Sequence, residues 1–73
     1  MKQIKHIKTA MRILDMDQKK FAEEIGVTQG LVSKWLSGHK VPGWKSAQAI
    51  DDATDGNVSR SEIRPDIYQK QLP

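Results

Sequence analysis

The chain contains no cysteine, which excludes a disulfide framework and any thiolate-bound metal centre. Aromatic residues are scarce: two Trp, one Tyr and one Phe among 73 residues. Proteins that hold single strands by stacking bases interleave several aromatics with basic residues, so that class is set aside. No apolar run exceeds three residues, which excludes a membrane span. No segment alternates apolar and polar residues with period two, so no strand is expected. The basic N-terminus lacks the apolar stretch of a secretory signal, and the expected location is the cytoplasm. What remains is 37% hydrophobic and 29% charged, a globular composition. A chain this short must fold on a single apolar core.

Charge is unevenly spread. Twelve Lys and Arg against nine Asp and Glu give +3. Residues 1–20 carry Lys2, Lys5, Lys8, Arg12, Lys19 and Lys20 against Asp15 and Asp17. Residues 51–73 carry Asp51, Asp52, Asp55, Glu62 and Asp66 against Arg60, Arg64 and Lys70. A basic front and an acidic back suit a protein that offers one face to a polyanion.

Ile4, Ile7, Met11 and Leu14 recur at helical spacing and predict an amphipathic helix over about residues 3–14. Lys5, Lys8 and Arg12 run beside that stripe and read as a solvated helix face. Asp17 is a suitable N-cap for a second helix from Gln18, which buries Phe21, Ala22 and Ile25 and stops at Gly26. Thr28 caps a third over roughly 29–37, with Val32, Trp35 and Leu36 inward and Gly38 at its end. Pro42 opens or precedes a fourth, whose stripe of Trp44, Ala47, Ile50 and Ala53 runs to about Thr54. Asp55-Gly56-Asn57 stops it. Ser59 and Glu62 then form a capping box for a short turn closed before Pro65. The expected organisation is an all-α, five-helix domain over 1–65 and a flexible tail over 66–73.

Only Gly26-Val27-Thr28 joins the second and third helices. So short a link forces one helix sharply across the other, the geometry of a helix-turn-helix. Ala22 is small where the third helix must pass close, and Val27 with Val32 fills the space beneath the turn. A third helix so placed can lie in a DNA major groove while the second crosses the backbone.

The run QKKFAEEIGVTQGLVSKWLSG (18–38) resembles the helix-turn-helix of the lambda-repressor-like, Cro/C1-type DNA-binding family. The resemblance is carried by Gln18, Ala22, Gly26, Val27, Thr28-Gln29, Val32, Trp35 and Gly38. Residues 41–68 are similar to the tails of small phage Cro-like and YdaS-like regulators through Ala53, Thr54, Gly56, Val58, Ser59 and Ile63-Arg64-Pro65-Asp66. The resemblance implies base contacts from Gln29, Gly30, Ser33 and Lys34. Gln matches the donor–acceptor pair of adenine and Lys the acceptors of guanine, whereas Gly30 allows close approach but reads nothing itself. It further implies phosphate contacts from Gln18 and the first amides of the second helix, and from Thr28, His39, Lys40 and Lys19.

Trp35 and Trp44 fall on apolar stripes and are expected in the core or lining a groove. His6 and His39 lack partner ligands, so no metal site is expected, and Asp51, Asp52 and Asp55 read as solvated acid without the spacing of a calcium loop. No cofactor, small-molecule ligand or catalytic group is expected. The resemblance implies a non-enzymatic transcriptional regulator of bacterial phage type, most simply a repressor that binds a near-palindromic operator in double-stranded DNA as a homodimer. The dimer surface is expected at Val58 to Tyr68. An activator, or an antitoxin-like protein-interaction role, is the alternative.

Overall fold

A computed structural model describes residues 2–68. Its five helices are α1 (Lys2–Leu14), α2 (Gln18–Ile25), α3 (Gln29–Leu36), α4 (Trp44–Ala53) and α5 (Arg60–Ile63), with no strand among the described residues. Local chemistry sets most boundaries. The Asp17 carboxylate accepts from the Lys20 amide at 2.9 Å to cap α2, and the Thr28 hydroxyl accepts from Leu31 at 3.1 Å to cap α3. Gly26 lies in the left-handed region at φ 86°, which lets both it and Val27 donate to the Ala22 carbonyl and close α2. Around α5 the Ser59 hydroxyl and the Glu62 carboxylate bond each other's backbone amides, so the expected capping box is present.

One core joins all five helices. Ile7 and Ala10 of α1 meet Phe21, Ala22 and Ile25 of α2, Val32 and Trp35 of α3, Ala47 and Ile50 of α4, and Val58 and Ile63 from the C-terminal segment. The apolar face of α1 is rotated toward Ala10 relative to its sequence stripe: Ala10 is fully buried, whereas Met11 and Leu14 are only partly covered. Ala22 sits buried where α3 crosses α2, as its small size requires. Thr54 is the buried polar residue of the core. Its hydroxyl donates to the Ile50 carbonyl at 2.8 Å and accepts from the Val58 amide at 3.1 Å, fixing the turn between α4 and α5.

Three expectations are corrected. Trp44 does not join the core; it is 51% exposed, because the first turn of α4 projects beyond the helices that cover Ala47 and Ile50. Asp51 is not free solvated acid. Its carboxylate takes the Arg60 backbone N–H and the Arg60 Nε, both at 3.0 Å, while Asp52 takes Nη2 at 3.1 Å, so α4 clamps the start of α5. Within the segment expected to form a dimer surface, Val58 and Ile63 are buried in the chain's own core and offer nothing to a partner. Asp66 bonds Arg64, and Tyr68 packs against the core with the Arg60 guanidinium 5.6 Å from its ring centre. The rest of the expected tail, 69–73, lies outside the described residues.

Candidate nucleic-acid interface

The eight residues of α3 divide cleanly. Val32 and Trp35 face inward and are buried, while Gln29, Gly30, Ser33 and Lys34 are exposed. Positions separated by one, four and five residues share one side of a helix, so these four form a single outward surface. Nothing crowds Gly30: a side chain there would meet only the Thr28 hydroxyl, at 4.0 Å. The structure thus brings together the four residues for which base contacts are expected.

The flanking groups are more constrained. Gln18 is half-buried at the start of α2, and Lys19 is exposed beside it. Asp17 already holds the Lys20 amide, so of the first amides of α2 those of Gln18 and Lys19 have no partner within the helix. Thr28 uses its oxygen as the α3 cap and keeps its proton to donate. At the other end of α3, the Lys34 carbonyl accepts from the His39 amide at 2.9 Å, the Lys40 amide at 3.3 Å and the Ser37 hydroxyl at 3.2 Å. That triple anchor folds the exit loop tightly back and leaves His39 and Lys40 exposed. The His39 Nδ1 lies 2.7 Å from Ser37 Oγ; with the Ser37 proton directed at the Lys34 carbonyl, Nδ1–H donates to Ser37 Oγ and fixes the ring's orientation.

Electrostatics separate the two sides of the molecule. All three ion pairs among the described residues lie at the C-terminal end: Arg60 with Asp51 and Asp52, and Arg64 with Asp66. Arg60's backbone and side-chain hydrogen bonds hold the Asp51 carboxyl below its ordinary pKa against a desolvation cost, and the Arg64 side chain, through its hydrogen bond and charge, lowers that of Asp66. The arginines rise in turn, each through its side-chain bond to the acid. None of Lys19, Lys20, Lys34, Lys40 and Lys45 has an ion-pair partner among the described residues. The basic stripe of α1 is exposed too, with Lys5, Lys8 and Arg12 framing a shallow groove floored by Ile4 and Thr9. Ile4 reaches the end of α3, its Cδ1 3.5 Å from where a Cβ on Gly38 would sit. The described residues contain no cluster of three or more His, Asp or Glu able to hold a metal ion. No helix among them is long and apolar enough to cross a membrane.

A small all-helical domain with a tight α2–α3 turn and an exposed outer face on α3 is of the helix-turn-helix type. The chain belongs to the YdaS family: the family described as "Bacterial toxin YdaS" matches residues 16–72. It is also 32% identical over 53 residues to a prophage transcriptional regulatory protein of Escherichia coli K12, an alignment covering 73% of this chain and 80% of that protein. No solved structure matches it.

Proposed function

We propose that this chain is a prophage transcriptional regulator that binds a near-palindromic operator in double-stranded DNA as a homodimer and represses by occluding a promoter. The observation that carries the reading is the outer face of α3. Gln29, Gly30, Ser33 and Lys34 stand together on the side opposite Val32 and Trp35, flanked by cations with no ion-pair partner among the described residues. Gln29 and Lys34 supply base-reading groups, and Gln18, Lys19, Thr28, His39 and Lys40 supply phosphate contacts. No step in this reading needs a catalytic group or a cofactor, and it places the protein in the bacterial cytoplasm. The similarity to a prophage transcriptional regulatory protein supports it.

The test is selection from a random duplex pool followed by a gel shift of the recovered sequence. The expected result is a two-fold symmetric site whose half-sites lie about one helical turn apart. Recovery of no preferred sequence would sink the reading.

The family's description as a toxin favours a second reading, in which the chain arrests growth of its host. If arrest follows from occupying host DNA, the double variant Gln29→Ala/Lys34→Ala loses toxicity on induction. If it follows from binding a protein through another surface, that variant remains toxic.

A further inference from the structure

Four large apolar side chains are exposed among the described residues: Ile13, Val41, Trp44 and Ile67. Three of them belong to segments held together at one place. Val41 and Trp44 flank the buried Pro42 in the loop that leads from α3 into α4. The segment bearing Ile67 is tied to that loop twice. Arg64 Nη1 donates to the Pro42 carbonyl at 2.8 Å, and the Tyr68 hydroxyl donates to the Trp44 carbonyl at 3.3 Å. The Lys45 ammonium lies 5.4 Å from the centre of the Trp44 ring. The core closes around Trp35, Phe21, Ile7, Ile50 and Ile63 without help from any of the three. A half-exposed tryptophan with two aliphatic neighbours makes a patch on the order of a few hundred Å², the size at which surface patches on monomers carry function.

We propose that Val41, Trp44 and Ile67 form the contact between two copies of this chain seated on adjacent half-sites. The proposal rests on the DNA-binding reading above. With Val58 and Ile63 consumed by the core, the exposed apolar residue left in that segment is Ile67, and it adjoins the Trp44 loop. The patch is well short of the roughly 800 Å² per partner found in stable complexes, so the free chain is monomeric. The contact forms when DNA holds two copies at high effective concentration. Lys40 and Lys45 at the rim of the patch repel their counterparts in free solution, and phosphates between the copies relieve that repulsion.

The absence of cysteine makes single-cysteine variants unambiguous reporters. Val41→Cys, Ile67→Cys and, as a control on α1, Ile13→Cys are oxidised on the selected duplex with two half-sites and on a duplex with one. On the two-site duplex, Val41→Cys and Ile67→Cys are expected to yield about tenfold more disulfide dimer than Ile13→Cys, and the excess should vanish on the one-site duplex. Parity among the three overturns the proposal. Acrylamide quenching of the wild-type protein adds a second readout, because Trp35 is buried and Trp44 is the accessible indole. Trp44 should stay quenchable on the one-site duplex and become shielded on the two-site duplex. Full shielding by one site makes Trp44 a DNA contact and ends the proposal. If no duplex is retained at all, the DNA reading falls alone. The three variants oxidised in concentrated free solution then decide the contact: an excess at 41 and 67 keeps it, and parity removes it.

Discussion

The guanidinium of Arg64 donates to the carbonyl of Pro42, twenty-two residues earlier, at 2.8 Å, while its other nitrogens hold Asp66 at 2.9 and 2.6 Å. The end of α5 thereby pins the loop that leaves α3. Arg64→Met keeps the aliphatic stem and removes every donor. It is expected to cost about 1–3 kcal/mol, lowering the melting temperature by roughly 4–24 °C. Arg64→Lys, with charge but no planar fork, should recover only part of the loss. Thermal melts of the two variants decide; if Arg64→Met melts with wild type, the pin contributes nothing.

Acid should loosen the α4–α5 clamp. Asp51 is held below its ordinary pKa, first by the Arg60 backbone N–H and then by the Arg60 side chain. A depressed folded pKa contributes stability that is fully present above the unfolded value, about 4, and is lost as pH falls through the lower folded value. Wild type should therefore weaken below about pH 4 more steeply than Asp51→Asn, which lacks the titrating group. Urea denaturation across that range reads the difference. Parallel profiles would remove Asp51 as the source.

Substitutions at the α2–α3 turn should separate two mechanisms. Gly26 has no neighbour within 4 Å of a would-be Cβ, so only its φ of 86° resists a side chain. Gly26→Val then suffers left-handed strain of about 1–2 kcal/mol, whereas Gly26→Asn, a residue that visits this region, should cost clearly less. Ala22 is buried instead, and Ala22→Val overpacks the crossing for about 1–3 kcal/mol. Denaturation midpoints for the three variants check the order.

On the DNA-binding reading, Gln29→Ala should flatten preference at one symmetric pair of operator positions, worth on the order of 1–3 kcal/mol of discrimination, and leave random-duplex affinity nearly unchanged. Lys34→Ala should do the same if it reads guanine; a phosphate role would instead lower the log–log salt slope by roughly one. Gln18→Ala should weaken operator and random duplex alike. Affinities over an operator-substitution panel at two salt concentrations separate these outcomes. Wild-type preference retained in Gln29→Ala would displace the assigned face of α3.

Features set by residues three or four apart were legible before any coordinates. Asp17 over Lys20, Thr28 over Leu31, the left-handed Gly26 and the Ser59–Glu62 box all answer to local stereochemistry. The contacts that escaped are long-range. Asp51 meets Arg60 nine residues on, and Trp44 meets Tyr68 twenty-four residues on; no spacing rule anticipates either. Periodicity put Trp44 on the right stripe of α4 but could not say where covering helices stop. The same limit let Val58 and Ile63 pass for a surface, when the chain needed both to complete a core that joins all five helices.

Gly30 leaves one of the outward positions on α3 vacant. Glycine within a helix costs about 1 kcal/mol relative to alanine, and a side chain there would meet nothing closer than the Thr28 hydroxyl, at 4.0 Å. A relative that installed asparagine or arginine at this position would stiffen its helix and acquire a new reading group by a single change. Divergence of operator preference among such proteins therefore has a ready starting point that no core residue obstructs.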